Sequence, residues 1–163
     1  MLVDPTLYGT LQRAEGLVLH AYWDPVGKVW TAGYGHTGPD VTPGMLVTIE
    51  LARKWLYDDA DKATGWAVHL PEYPQLADNQ ARINAVTEAV FNLGVGNWTN
   101  EFPKTRASIM QKDWPQAYLH LMASPEWIAD VGLSRVSRIA TLLRDGCYPT
   151  GVGNSYSPPL ASA

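Results

Sequence analysis

The stretch from Glu15 to Gly38 constrains this chain more than any other. It reads Glu-Gly-Leu-Val-Leu-His-Ala-Tyr-Trp-Asp-Pro-Val-Gly-Lys-Val-Trp-Thr-Ala-Gly-Tyr-Gly-His-Thr-Gly. Gly16 can end a helix in the left-handed conformation, which leaves Glu15 in the last helical turn. Val18–Trp23 is rich in apolar and aromatic residues and predicts a strand. Asp24-Pro25-Val26-Gly27-Lys28 is turn chemistry, with proline fixing φ and glycine permitting a positive φ. Val29–Tyr34 predicts the return strand and carries a hydroxyl at Thr31. The pattern therefore sets a helix end bearing one carboxylate beside a hairpin that presents a second carboxylate and a hydroxyl.

Two carboxylates flanking one point in space can cleave a glycosidic bond. One, kept protonated, gives a proton to the leaving oxygen; the other activates water or stabilises positive charge on the sugar. Glu15 suits the first task, because the negative end of a helix raises a carboxyl's affinity for its proton. Asp24, at the mouth of a turn, suits the second. The same residues also serve as solvated caps in many proteins, so the pair alone does not decide the chemistry.

Glu-Gly, Tyr-x-Asp and Trp-Thr-x-Gly-Tyr-Gly-His, at these spacings, closely resemble the catalytic segment of the phage-type lysozymes, the muramidase endolysins that include the T-even phage enzyme. The turn between Asp24 and Thr31 is one residue longer here than in that enzyme. The resemblance implies an α+β, mostly helical lysozyme-like fold, with a small N-terminal lobe built on a hairpin sheet, a larger helical C-terminal lobe and a cleft between them. It implies hydrolysis of the β-1,4 bond between N-acetylmuramic acid and N-acetylglucosamine in peptidoglycan, by direct water attack with inversion. Glu15 would be the general acid, Asp24 the group that stabilises charge or activates water, and Thr31 the hydroxyl that holds that water.

Composition agrees with one globular domain. The chain has 163 residues, 46% of them hydrophobic and 17% charged, which excludes global disorder. Seven tryptophans and eight tyrosines are many for this length and favour a carbohydrate ligand. A net charge of −4, with no basic patch, sets nucleic acid aside. It also denies the enzyme a global attraction to the anionic cell envelope. The single Cys147 excludes an internal disulfide. No leader sequence and no run of about 18 apolar residues is apparent, so stable membrane insertion is not expected.

Along the chain, Asp4-Pro5 starts a helix that ends at Gly16. A long helix begins at Thr48. Pro71–Pro74 opens a loop, and Asp78 or Asn79 caps a central helix that is apolar nearly all round and ends at Gly94. Residues 94–103 read as a loop holding Trp98. Helices follow at about Thr105–Gln111, Trp114–Ala123 and Pro125–Asp130, and the last starts at Ser134 and stops at Gly146. The expected organisation is a single domain of two lobes, about 1–70 and 71–148, with a loosely ordered Gly, Ser and Pro-rich tail over 149–163.

By resemblance, Phe91 and Asn92 at the end of the central helix, and Thr105 and His120 beyond it, would contact substrate. Each has a plainer alternative, as core, helix cap or surface. His36 would be supported by Asp59 as an ion pair. Arg135 matches the arginine that the family sets against the catalytic glutamate, and Arg138 shares its face. No cofactor is implied, and the four histidines and one cysteine show no metal-ligand spacing. The resemblance implies a monomer made in the host bacterial cytoplasm. It would reach the wall from the periplasmic side after a separate hole-forming protein permeabilises the membrane. Two rivals stand: a lytic transglycosylase acting on the same bond, and a catalytically inactive wall-binding module.

Overall fold

The structure, a computed structural model, describes residues 3–149. The tail from residue 150 onward lies outside the described residues. Two compact units emerge, one ending at Lys62 and one beginning at Ala63, so the division falls within the helix Ile49–Ala67. The architecture is α+β and mostly helical, with a single three-stranded sheet among the described residues.

The first unit opens with α1 (Pro5–Glu15). The Asp4 side chain accepts hydrogen bonds from the Thr6 and Leu7 amides at 3.0 and 3.1 Å, and Pro5 fills the first helical position, where no amide is needed. Leu7, Tyr8 and Leu11 form its buried face. The Tyr8 hydroxyl donates to the Arg53 carbonyl at 3.1 Å. The helix stops at Gly16, but not in the left-handed helical conformation: φ is 68° and ψ 165°. That region is essentially closed to residues with a Cβ, and it sends the chain directly into the sheet.

Strands β1 (Val18–Asp24), β2 (Val29–Gly33) and β3 (His36–Thr37) lie in that order, each antiparallel to the next. Near the turn the register is regular, pairing Tyr22 with Thr31, Trp23 with Trp30 and Asp24 with Val29. Between Val18 and Tyr22 it is not, because β1 advances four positions while β2 advances two, from Gly33 to Thr31. The extra residues pair outward instead: the Ala21 amide donates to the Met45 carbonyl and the Val47 amide to the Leu19 carbonyl. The bulge thus bends β1 without orphaning its backbone.

In the hairpin turn the positive φ falls on Lys28 (54°), not on Gly27. A Cβ on Gly27 would lie 2.8 Å from Asp24 Oδ2, so a side chain there would oblige the Asp24 carboxylate to move. Helix α2 (Ile49–Ala67) then begins where Thr48 Oγ1 accepts the Leu51 amide at 3.2 Å. It buries Ala52, Trp55, Leu56 and Ala60.

The second unit is helical. Its elements are α3 (Tyr73–Leu76), α4 (Gln80–Leu93), α5 (Val95–Glu101), α6 (Pro103–Met110), α7 (Trp114–Met122), α8 (Pro125–Val131) and α9 (Leu133–Asp145). Asn79 caps α4 by accepting the Arg82 amide at 3.0 Å. Val86, Ala89 and Val90 of α4 pack among Trp98, Ile109, Leu121, Trp127, Ile139 and Leu143, all buried. At about 1.5–3 kcal/mol for each fully buried large apolar side chain, this cluster is the main source of the unit's stability. Among the described residues, no helix is long and apolar enough to cross a membrane.

Three boundaries differ from the sequence reading. Residues 95–101 are helix α5 rather than loop, because the buried Trp98 anchors them despite Gly96, tertiary packing overriding propensity. Part of the loop after Pro71 is the short α3. Helix α9 is entered from Gly132, at φ 90°, and Ser134 lies exposed inside its first turn rather than capping it. At its far end, Gly146 adopts the left-handed conformation.

Candidate active site

Glu15, Asp24 and Thr31 all lie in the first unit. Glu15 is the last residue of α1 and is half-buried. A Cβ placed on Gly35 would sit 3.9 Å from Glu15 Oε2, so the glutamate's carboxylate lies against the glycine turn joining β2 to β3. Asp24 ends β1, half-buried, and its Oδ1 accepts the Val26 amide at 2.9 Å. That local bond orients the carboxylate and leaves Oδ2 over Gly27.

Thr31 occupies the centre of the sheet, paired with Tyr22 on one side and Thr37 on the other. It is 4% exposed, and Oγ1 has no hydrogen-bond partner among the described residues. A buried hydroxyl left without one costs about 1–3 kcal/mol. Strand alternation sets Tyr22, Asp24, Val29 and Thr31 on one face and Trp23 and Trp30 on the other.

Behind this sheet, His36 and Asp59 come together, His36 Nδ1 lying 2.7 Å from Asp59 Oδ2. Sequence reasoning missed the second partner, Asp40, whose Oδ1 is 3.3 Å from His36 Nε2. A neutral imidazole has one N–H, so only the imidazolium donates to both carboxylates at once. The ring also stacks on Trp55, with centroids 4.5 Å apart. Slight desolvation pushes the Asp40 carboxyl up, but the hydrogen bond and charge of His36 outweigh it and hold the group below the usual carboxylate range. His36 thereby pins the start of β3 to α2 through Asp59 and Trp55.

The second unit holds the remaining sequence candidates. Arg135 Nε lies 3.4 Å from Glu88 Oε1, and Arg138 grips the same carboxylate with both terminal nitrogens. Glu88, only 1% exposed, is a charge that sequence reasoning overlooked. The available signal was a lone acid inside the apolar run of α4, which must be paired if buried. Burial works against the Arg138 charge, yet the Glu88 hydrogen bonds prevail and raise its pKa.

Phe91 packs against the helical core, and the Asn92 amide donates to the Glu88 carbonyl at 2.7 Å, satisfying the last turn of α4. Thr105 and His120 line one pocket of about 310 Å³, with Glu101, Phe102, Pro103, Lys104, Ala123 and Ser124. His120 Nδ1 is 3.2 Å from Ser108 Oγ. Phe91 and Asn92 are not part of this pocket's lining.

The family described as phage lysozyme matches residues 12–139, from the end of α1 into α9. This chain belongs to the phage lysozyme family. Within it, 87 residues are 32% identical to the endolysin of Bacillus phage PZA, covering 53% of this chain and 33% of that protein. The endolysin of Bacillus phage B103 is 32% identical over 87 residues, covering 53% of this chain and 32% of its own. The match thus spans about a third of the length of these curated relatives. In three dimensions the chain resembles the endolysin from Escherichia coli O157:H7 phage FAHEc1, with a TM-score of 0.70 and 21% identity over 91% of this chain and 97% of that one. The lysozyme-like fold is therefore secure, and it carries Glu15, Asp24 and Thr31 within the phage lysozyme match.

Proposed function

We propose that this chain is a peptidoglycan-lytic endolysin, and specifically a muramidase that hydrolyses the β-1,4 bond between N-acetylmuramic acid and N-acetylglucosamine. The observation that carries the reading is the buried Thr31 hydroxyl, without a partner among the described residues, on the same sheet face as Asp24. A buried polar group that the surrounding side chains and backbone leave unmatched suits a site that orders a water or a substrate atom. Family membership supplies the reaction class.

In this mechanism Glu15 protonates the glycosidic oxygen as the bond breaks. Asp24, ionised, draws the proton from the attacking water or stabilises the oxocarbenium-like charge, and Thr31 orients that water. Attack from the face opposite the leaving group gives inversion. Arg135 would assist Glu15 electrostatically, and His36 with Asp59 would support the sheet. Phe91, Asn92, Thr105 and His120 would contact the glycan strand or its peptides. No cofactor enters. The enzyme would act as a monomer, from the host cytoplasm, once a separate hole-forming protein gives it access to the wall.

Digestion of purified peptidoglycan by wild type and Glu15→Gln, with products weighed by mass spectrometry, tests this. Glutamine keeps the shape of Glu15 and removes its proton, so a loss of about a hundredfold or more is expected. Hydrated reducing ends from the wild type support hydrolysis. Anhydro ends would make the enzyme a lytic transglycosylase, and wall binding without product would make it a binding module.

A further inference from the structure

The Tyr-x-Asp motif contributes two residues to the hairpin, and the mechanism above uses only Asp24. Tyr22 remains. It sits in a regular, paired part of β1, on the face that carries Asp24 and Thr31, and is 44% exposed. It lies directly across from Thr31, and two residues from Asp24 on the same strand face. Those separations amount to about 5 Å and about 7 Å. An open aromatic ring, a buried hydroxyl and a carboxylate thus share one face within the span of a single pyranose ring. Resting on the muramidase reading, we propose that Tyr22 stacks against the N-acetylhexosamine ring bound beside Asp24, and so fixes the sugar's orientation over Thr31.

The physical case is chemical complementarity. A pyranose has a face of axial C–H groups that is apolar and weakly positive, and an aromatic face is apolar and weakly negative. A tyrosine also loses little conformational freedom when it binds, having only two side-chain torsions. The competing role is local. An aromatic opposite a β-branched residue steadies a hairpin and helps to bury Thr31. The two roles separate cleanly, because valine preserves strand preference but not the ring.

The test is calorimetric titration with the β-1,4-linked N-acetylglucosamine tetramer, using Glu15→Gln protein so that no ligand is cleaved. Glu15→Gln/Tyr22→Phe should bind within about twofold of its parent, and Glu15→Gln/Tyr22→Val about tenfold more weakly, the size of one lost ring contact. Equal binding by the valine variant would overturn the proposal and leave Tyr22 a hairpin residue. No binding by the Glu15→Gln parent would overturn this inference, while the muramidase reading stands or falls on the peptidoglycan digest. Binding that depends on Tyr22, in a protein whose wild type cleaves nothing, would overturn the reading and support the inference. If Tyr22→Val lowers the melting temperature by more than a few degrees, the readout is NMR of the Glu15→Gln parent. Tyr22 ring resonances that fail to move on adding the tetramer would then overturn the proposal.

Discussion

In the helical unit, Glu72 and Glu88 are both essentially inaccessible, and both are met by guanidinium groups; in the sheet-bearing unit, Asp24 is half-open and the buried Thr31 hydroxyl has no partner among the described residues. Glu72 receives Arg106 through Nε at 2.7 Å and Nη2 at 3.0 Å, and the Trp98 indole N–H at 2.9 Å. Asp24 receives one local amide. The difference separates two uses of polarity. A carboxylate whose lone pairs are spent on the protein holds helices together. One that keeps an oxygen uncommitted, beside an unsatisfied hydroxyl, is available for chemistry.

Removing a partner should therefore cost stability in one unit and activity in the other. Arg106→Leu leaves Glu72 charged, buried and short of its main partner, a change expected to destabilise by about 3–5 kcal/mol. Asp24→Asn, in contrast, should move stability by less than about 0.5 kcal/mol while abolishing most wall lysis. Urea unfolding of both variants, alongside turbidity assays, checks the contrast. A stable Arg106→Leu protein would remove the distinction.

Acid offers a second probe of the same pairing. Burial pushes the Glu72 carboxyl up, but the Arg106 and Trp98 hydrogen bonds more than compensate and hold it below the ordinary carboxylate value. Since the folded state binds this proton less readily than the unfolded chain, the contribution of Glu72 is complete above the unfolded carboxylate pKa and declines as pH falls through the folded one. Between about pH 5 and about pH 3, the urea midpoint should fall more steeply for wild type than for Glu72→Gln. Parallel slopes would mean that Glu72 carries no acid sensitivity of its own.

How far these roles were legible depended on whether the signal was local. Asp4-Pro5, the hairpin from Val18 to Tyr34, Asn79 as a cap and Gly146 as a stop announce themselves within a few residues, through capping and turn chemistry. Helix α5 did not, because Gly94 and Gly96 advertise a loop and only the distant Glu72, Phe102 and Trp127 make a buried Trp98 worthwhile. Gly27 was read as the turn residue that permits a positive φ, which the structure puts on Lys28 instead. Glu88 was missed because it matters through Arg138 on another helix, whereas Asp40, four residues from its partner His36, was within local reach and was overlooked. Glu15, Asp24 and Thr31 stood out because their spacing is itself the motif.

The smallest expected effect is also the most discriminating. Thr31→Val replaces the buried hydroxyl with a methyl group of nearly the same shape, in a strand that favours β-branched residues. A hydroxyl hydrogen-bonded within the protein would make this change cost stability. Because Oγ1 has no partner among the described residues, valine should instead be neutral or stabilise by about 1 kcal/mol, having relieved a desolvated polar atom. Activity should move the opposite way, by about tenfold or more, if that oxygen orders the attacking water. Thermal unfolding and peptidoglycan release on one preparation read both signs together. A stabilised, fully active Thr31→Val enzyme would show that the unsatisfied hydroxyl is dispensable, and would leave Glu15 and Asp24 to act without it.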